Sequence, residues 1–258
     1  MSDESHTMRI RVLTLFPDMI REVVHTSILG RAVAAGILDV EAVDIRDYAD
    51  NAYRKVDDAM FGGGTGMLMM CEPVYRSWEA AKTSLNDKAH TVFLSAQGRP
   101  FTQQRAIELS GMNSLILLCG HYEGIDRRVL DEIVDEEISI GDYVLTGGEL
   151  PALTVIDAIA RMLPGVLPAP EAYLLESHME GTLEGPQYTR PAVWKDQAVP
   201  QVLLSGHHAN IQMFRRLSSL ETTRRYRPDL FNRLRLEPEE LERLLRFTRQ
   251  NEKGEREE

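Results

Sequence analysis

The sequence predicts an α/β domain whose mainly parallel sheet carries helices on both faces, followed by a small all-α C-terminal domain. Segments rich in aliphatic and β-branched residues alternate with helical patterns through the first two thirds of the chain, which is typical of a parallel sheet. A proline-rich stretch of weak periodicity follows, and beyond it the pattern is helical. We therefore expect an α/β domain at 1–167, a linker at 168–191 and a helical domain at 192–258.

Four elements are predicted near the N-terminus. Residues 9–15 have a strand pattern, and Pro17 then stands where a helix can begin. A second helical pattern covers 27–35, and another strand pattern covers 40–45. The polar, glycine-rich stretch 46–66 is too long for a neutral connector, and loops of this length are usually functional.

Strand and helix patterns continue to alternate up to the linker. The predicted elements are a helix at 73–81, a strand at 91–94, a helix at 103–109, a strand at 115–119 and helices at 127–133 and 153–163. Three prolines then fall within the sequence LPGVLPAP at 163–170, and this composition marks a domain boundary. Two further helices are predicted at 210–220 and 238–249.

Composition excludes several classes of protein. The chain has 258 residues, with 29 basic and 40 acidic side chains and a net charge of −11. No apolar run approaches the ~18 residues of a membrane span, and the first seven residues are polar and acidic, unlike a secretory leader. We expect a cytoplasmic protein with no membrane partner. Cys71 and Cys119 have no paired spacing, which excludes a disulfide framework and a cysteine-based zinc site.

Three glycine-bearing loops follow successive strands and are the main candidates for a binding site. They cover 95–99, 119–126 and 139–151. Open α/β sheets bind ligands at the carboxyl ends of their strands, and glycine lets the backbone approach a ligand closely. We expect one pocket in which Ile140 or Leu145 sandwiches an aromatic base. The alternative for any single loop is a tight turn that needs glycine for its φ angle.

Motifs for other cofactor sites are missing. No G-x-G-x-x-G follows a strand, which excludes a dinucleotide-dependent oxidoreductase, and residues 62–66 lack the Lys-Ser/Thr of a P-loop. We also predict no metal site, because the histidines considered do not have the spacing of metal ligands. They are His121, His178, His207 and His208.

Positive charge is concentrated in one segment of this acidic chain. Residues 215–235 hold seven arginines against two carboxylates, a local net charge of +5, with Phe214 and Tyr226 close by. Clustered arginine with interleaved aromatic residues is typical of phosphate contacts in nucleic-acid-binding proteins. The alternative is a solvated helix face. The predicted RNA contacts are Arg190 in the linker and Arg215, Arg216, Arg224 and Arg225 in the basic segment.

Eight sequence motifs, taken in order, resemble the bacterial tRNA (guanine-N1)-methyltransferases of the SPOUT superfamily. The similarity runs from about residue 9 to about residue 245 and rests on LTLFPDM, VDDAMFGGGTGM, LSAQGR, CGHYEGIDRR, ISIGDYVLTGGELPA, ARMLPGVL, GPQYTRP and VLLSGHHANI. This resemblance implies methylation of N1 of guanosine 37 in tRNA. It also implies a homodimer with its active site at the interface, and a magnesium requirement whose ion the sequence does not locate.

The same resemblance implies a trefoil knot at the carboxyl end of the α/β domain, an exception to the rule that chains do not thread loops. In this family the knot binds S-adenosylmethionine. Carried over by motif, the cofactor-binding residues are Leu94, Ser95, Gly120, Glu123, Ser139, Ile140, Gly141, Asp142, Tyr143, Val144, Leu145, Gly147, Gly148 and Pro151.

The resemblance further implies a catalytic pair, Arg161 and Glu176. This chain reads Glu-Ser-His at 176–178, where family members often have Asp-Ser-Phe, so the carboxylate is kept and is one methylene longer. It also has Thr65 where the family often has proline. Glu180 and Glu184 stay open as alternative bases.

The chemistry of guanine independently favours these two residue types. N1 of neutral guanine carries a proton, so a carboxylate that accepts this proton makes N1 nucleophilic. Negative charge then grows on O6, where a guanidinium would stabilise it. Two other functions remain open: methylation of another RNA position such as a ribose 2′-hydroxyl, and tRNA binding without catalysis.

Overall fold

The computed structural model describes residues 7–86, 88–168, 173 and 176–257, with side chains up to residue 249. The chain forms two compact units, Met1–Pro170 and Glu171–Glu258. The described residues of the predicted linker from 173 onward therefore group with the second unit.

A five-stranded parallel sheet forms the centre of the first unit. Its strands are β1 (Met8–Thr14), β2 (Leu38–Asp44), β5 (His90–Pro100), β6 (Ser114–Cys119) and β7 (Glu136–Ser139), with β3 (Asp57–Ala59) and β4 (Met67–Met69) pairing separately. The strand order is β2-β1-β6-β5-β7, and every neighbouring pair is parallel. This arrangement places the carboxyl ends of β6, β5 and β7 side by side at one edge.

Helices cover both faces of this sheet. They are α1 (Pro17–Val24), α2 (Ser27–Ala34), α3 (Cys71–Ser84), α4 (Gln103–Ser110), α5 (Arg127–Ile133) and α6 (Glu149–Ala160). Alternate residues of β6 enter two different cores: Leu115 and Leu117 pack with α6 residues, whereas Ile116 and Leu118 pack with α3 and α5 residues. A strand that is apolar on both faces is typical of a parallel sheet between two helical layers. The predicted fold class is confirmed, and the trefoil knot stays a prediction.

The apolar helix predicted at 153–163 is displaced toward the N-terminus in the structure. It starts after Gly148 and ends at Ala160. Pro151 lies in its first turn, where the missing N–H of proline costs no intrahelical bond. The apolar pattern continues past the C-terminus because Leu163 is buried in the same core without being helical.

The long stretch predicted as a loop contains structure of its own. Residues Ile45–Tyr48 form a 3-10 turn, in which the Asp44 carboxylate accepts a hydrogen bond from Arg46 N at 2.9 Å. Strands β3 and β4 then pair as an antiparallel hairpin, and the glycines between them adopt positive φ. Strands of three residues are too short to produce a readable alternation.

In the described residues of the second unit, an irregular segment at 176–192 is followed by one short hairpin and by helices. The elements of this unit are β8 (Val193–Trp194), β9 (Gln197–Ala198), α7 (Gln201–Leu204), α8 (His208–Tyr226), α9 (Pro228–Phe231) and α10 (Pro238–Glu257). Leu217, Leu220 and Leu244 form its core. The hairpin was not predicted, and it turns through Lys195 and Asp196, both at positive φ, the geometry of a tight two-residue β-turn.

Two expectations from composition can be compared with the structure. Both cysteines are free thiols, with Cys119 buried and Cys71 partly exposed. In the described part of the chain, no helix combines the length and apolar character needed to cross a bilayer.

Candidate functional site

The carboxyl ends of β6, β5 and β7 enclose a cavity of about 350 Å³. Because these three strands are neighbours in the sheet, their following loops meet at one edge. Thirteen of the fourteen residues predicted to bind a cofactor line this pocket: Leu94, Ser95, Gly120, Glu123, Ser139, Ile140, Gly141, Tyr143, Val144, Leu145, Gly147, Gly148 and Pro151. Asp142 does not line it. The sequence therefore predicted the location of the pocket, and the binding roles of its residues remain a prediction.

The first wall is a bulge in β5. Residues 95–99 were predicted as a loop after the strand, but the strand continues through them with a register shift between Leu94 and Arg99, both of which pair with Ile138. A β-carbon on Gly98 would lie 2.5 Å from the Ile138 backbone, so only glycine fits where the chain returns to its partner. Bulges redirect side chains near binding sites, and this one places Ser95, Ala96 and Gln97 along the pocket.

The second wall is the loop after β6, which hydrogen bonds fasten to the β3–β4 hairpin. Glu123 N donates to Met67 O at 3.0 Å, and Met69 N donates to Gly124 O at 2.9 Å. A β-carbon on Gly66 would lie 2.6 Å from Cγ of Glu123. The glycine-rich stretch noted in the sequence therefore contacts a pocket residue directly, a contact that local patterns did not predict.

The third wall runs from Ser139 to the start of α6. Gly141 has φ +153° and accepts a hydrogen bond at its carbonyl from Ser139 Oγ at 3.1 Å. Gly148 N donates to Gly120 O at 3.0 Å, and a β-carbon on Gly148 would lie 2.6 Å from Cys119 Cα. Backbone contacts between the second and third walls thus fix the pocket, and glycine is required where they touch.

Two polar side chains that were not predicted to bind the cofactor lie at the pocket or beside it. His121 lines it, and Nδ1 of this ring is buried with no hydrogen-bond partner in the described part of the chain. Glu149 is buried at the start of α6 and accepts a hydrogen bond from Thr14 Oγ1 at 2.7 Å. A β-carbon on Gly147 would contact both Glu149 Oε2 and His121 Nδ1. His121 was considered only as a metal ligand, although its position in a glycine-bearing loop could have identified it.

The buried Cys119 thiol beneath this pocket is unsuited to nucleophilic chemistry. Complete burial, and then the nearby Glu149 carboxylate, raise the pKa of this thiol well above its usual value. A thiol kept in its protonated form is a poor nucleophile. Cys119 instead packs as a small apolar residue of the core.

Arg161 and Glu176 belong to different units of the chain. Arg161 is the C-cap residue of α6, where its backbone N donates to Asp157 O at 3.2 Å, and it is half-buried. Glu176 is also half-buried, and its backbone N donates to Tyr173 O at 3.2 Å.

Hydrogen bonds close the segment after Glu176 into a loop. His178 N donates to Thr182 O at 2.7 Å, and Glu184 N donates to Ser177 Oγ at 3.0 Å. The two alternative bases, Glu180 and Glu184, are exposed. Glu176 is therefore the most sheltered of the three carboxylates.

A comparison with protein families decides the classification. The model of the tRNA (guanine-1)-methyltransferase TrmD family matches residues 8–233. The chain belongs to this family.

Curated relatives of the same description cover nearly the whole chain. A tRNA (guanine-N(1)-)-methyltransferase of Ruminiclostridium cellulolyticum is 54% identical over 227 residues, spanning 88% of this chain and 97% of the relative. One of Lachnospira eligens is 51% identical over 224 residues, spanning 87% and 95%. One of Alkaliphilus metalliredigens is 47% identical over 247 residues, spanning 95% and 100%.

The arginines predicted to contact RNA differ in their surroundings. Arg190 and Arg215 are exposed. Arg216 forms an ion pair with Glu240 at 2.8 Å, and Arg224 forms one with Glu221 at 2.8 Å. The guanidinium of Arg225 lies over the Tyr226 ring at 5.5 Å. The charge excess seen in the sequence is thus partly compensated within the fold.

Phe214 does not belong to an exposed aromatic surface. Its ring packs edge-on against Phe247 at 5.7 Å, beside the helical core, whereas Tyr226 is 65% exposed. Of the two aromatic residues predicted beside the arginines, only Tyr226 is therefore placed to contact RNA.

No metal centre is formed by the part of the chain that the structure describes. Among those residues, no three His, Cys, Asp or Glu side chains are grouped so that they could hold an ion. These residues therefore do not locate the ion of the magnesium requirement that the resemblance implies.

Proposed function

We propose that this member of the tRNA (guanine-1)-methyltransferase family transfers a methyl group from S-adenosylmethionine to N1 of guanosine 37 in tRNA. The observation that carries this proposal is the pocket at the ends of β6, β5 and β7. Its walls are joined through glycine backbone contacts, and they contain the motifs to which the resemblance assigns cofactor binding.

The pocket fits the methyl donor in size and character. Small-molecule sites typically enclose about 300–1,000 Å³, and this cavity of about 350 Å³ lies within that range. Ile140 and Leu145 supply apolar side chains for an adenine ring, and the absence of a side chain at Gly141 and Gly148 lets the backbone approach a ligand closely. When bound, S-adenosylmethionine supplies a methyl group made electrophilic by its positively charged sulfur.

Glu176 acts as the general base in this proposal. Its carboxylate accepts the N1 proton of guanine, which leaves on N1 the electron pair that would bind the methyl carbon as the methyl–sulfur bond breaks and the electrons of that bond stay on sulfur. Proton transfer to a positioned group is worth roughly 10²–10⁴ in rate. Partial burial of Glu176 agrees with this role, because a carboxylate sheltered from water interacts more strongly with a nearby substrate.

Arg161 stabilises the guanine as N1 loses its proton. Negative charge then develops on O6, and a fixed guanidinium donates hydrogen bonds to it. The alternative is structural, because a cation at the C-terminus of α6 is favoured by the helix dipole. A structural role predicts lower stability on mutation, whereas the catalytic role predicts lower rate in a stably folded protein.

Assembly of the site requires the substrate and a second copy of the chain. We propose a homodimer with its active site at the interface, acting on tRNA in the cytoplasm. The exposed Arg190, Arg215 and Arg225 would contact RNA phosphates. The location of the proposed base and the proposed cofactor pocket in separate units agrees with a site completed on assembly.

The direct test of the function is methyl transfer to defined RNA. Purified protein is incubated with labelled S-adenosylmethionine and unmodified tRNA transcripts that differ only in guanosine or adenosine at position 37. We expect label on the guanosine transcript alone, recovered as 1-methylguanosine after nuclease digestion. Label on a ribose 2′-hydroxyl would redirect the proposal to another RNA position. Cofactor binding without any transfer would favour a non-catalytic tRNA-binding protein.

The catalytic pair is tested by Glu176→Gln and Arg161→Ala under single-turnover conditions. We expect both variants to lose at least about 100-fold in rate, because each removes a group that acts in the transition state. Glu180→Gln and Glu184→Gln are matched controls, since the same chemical change is made in the neighbouring loop. Full activity of Glu176→Gln, with loss in either control, would move the base to that residue.

A further inference from the structure

Two hydroxyl groups of α8 hold the backbone of a single residue, Leu183. Leu183 N donates to Thr223 Oγ1 at 2.8 Å, and Ser219 Oγ donates to Leu183 O at 2.6 Å. Ser219 and Thr223 are four residues apart and therefore lie on the same face of the helix. They satisfy both backbone polar groups of Leu183, as a neighbouring strand would in a sheet.

This attachment lies in a well-packed part of the second unit. Thr223 is completely buried, and Thr182 and Ser218 are buried as well. A β-carbon on Gly185 would lie 2.7 Å from Ser218 Cβ, so the chain passes α8 at the closest distance that glycine permits. Removal of one hydroxyl would leave a backbone group of the half-buried Leu183 without its partner, which is unfavourable where water is partly excluded.

The attachment point lies between the two hydrogen bonds that close the Glu176 loop. Thr182 accepts from His178 N, and Glu184 donates its N–H to Ser177 Oγ. Leu183 is the residue between them. The segment that follows Glu176 is therefore closed on itself and fastened to α8 at Leu183.

We propose that Thr223 and Ser219 are positioning residues for the methyl-transfer reaction, which hold the 176–184 loop so that Glu176 is presented to guanine N1. This inference rests on the function proposed above. Neither hydroxyl contacts the reacting atoms; both act through the backbone of Leu183. A general base is effective only within hydrogen-bond reach of its proton, and small displacements of catalytic groups lower rates strongly.

The main test uses Thr223→Val, which keeps the shape of the side chain and removes its hydroxyl. Thr222→Val is the matched control, because Thr222 is adjacent in α8 and its hydroxyl has no hydrogen-bond partner among the residues that the structure describes. We expect Thr223→Val to lower the single-turnover rate at least 10-fold, with the affinities for S-adenosylmethionine and tRNA changed less than 2-fold. Thr223→Ser restores the hydroxyl and should recover most of the rate.

A double-mutant cycle with Glu176→Gln separates positioning from general structural damage. If Thr223 acts through Glu176, Thr223→Val should lower the rate by less than 2-fold when Glu176 is already glutamine. An equal loss in both backgrounds would overturn the proposal, as would an equal loss in Thr222→Val. Ser219→Ala provides a second variant at a less buried position if Thr223→Val does not fold, and the same cycle applies to it.

The two proposals fail in different ways. A slow Glu176→Gln combined with unchanged rates in Thr223→Val and Ser219→Ala would overturn the positioning role and leave the base in place. A fully active Glu176→Gln would overturn the assignment of the base and, with it, the positioning role defined through that base.

Discussion

The pocket and the Glu176 loop are built from different kinds of contact. In the pocket, backbone meets backbone: Gly148 N donates to Gly120 O, and Gly98 passes against Ile138. In the loop, side-chain hydroxyls of α8 hold a backbone segment at Leu183. The pocket therefore requires glycine at its backbone contacts. The loop instead requires hydroxyl side chains at two positions of α8.

The two units are expected to differ in how they bind their ligands. A pocket whose walls are fixed by backbone hydrogen bonds is already formed before a ligand arrives. The arginines of the second unit are partly engaged with its own carboxylates, as in Arg216 with Glu240. An engaged arginine must exchange one partner for another to bind a phosphate, so it contributes less affinity than an exposed one that has no ion pair.

The largest effect is expected from adding one methyl group to the pocket. Gly148→Ala would place a β-carbon 2.6 Å from the backbone of Cys119, so the second and third walls would have to separate. We predict at least a 100-fold loss of S-adenosylmethionine affinity, measured by isothermal titration calorimetry. Gly111→Ala is the control, because its β-carbon would make only ordinary contact at 3.4 Å. Unchanged affinity in Gly148→Ala would contradict a pocket fixed by its backbone.

A smaller effect should distinguish two neighbouring arginines of α8. Arg215 is exposed and has no ion pair within the described part of the chain, whereas Arg216 is paired with Glu240. We predict that Arg215→Ala weakens tRNA binding several-fold and lowers the slope of log affinity against log salt by about one. Arg216→Ala should change both quantities less. Binding titrations over a series of potassium chloride concentrations measure this, and the reverse order would contradict the comparison.

The smallest effect concerns acid stability. A hydrogen bond from the Arg128 side chain holds the pKa of Asp126 well below its usual value, and Asp126 also caps α5 through Arg128 N at 3.0 Å. Because the folded-state pKa is lowered, this contribution to stability is complete above the usual carboxyl pKa. It is lost as the pH falls toward the folded-state value. In Asp126→Asn, the free energy of unfolding measured with urea should therefore fall less steeply as the pH decreases below about 4.

Asp229 offers the matching variant in the second unit. A hydrogen bond from the Arg227 side chain lowers the pKa of Asp229 to about 2, but the Asp229 side chain is 48% exposed and that of Asp126 only 20%, and ion pairs of exposed groups contribute little. We expect Asp229→Asn to change the pH dependence of the free energy of unfolding less than Asp126→Asn does. An equal or larger change in Asp229→Asn would contradict this difference between the two units.

The sequence predicted the parts of the fold that repeat a pattern over many residues. Both faces of β6 are apolar, and glycine motifs follow three neighbouring strands, so the sheet and the location of the pocket could be derived. The bulge after Leu94 and the hairpins β3–β4 and β8–β9 could not, because each depends on pairing between segments of two to four residues.

The site was predicted less completely than the fold for a similar reason. The burial of His121 Nδ1 and the pairing of Arg216 with Glu240 depend on residues distant in sequence. The attachment of Leu183 to α8 joins residues 36 and 40 positions apart. Local spacing does not predict such contacts, whereas a glycine motif at the end of a strand is itself local.

The most direct test of the proposed cofactor pocket is a crystal structure of the protein with S-adenosylmethionine or its demethylated product. We predict ligand density between the β5 bulge, the loop after β6 and the Ser139–Gly148 wall, with the adenine ring beside Ile140 and Leu145. Ligand density at another site, with this pocket empty, would show that the cofactor binds elsewhere.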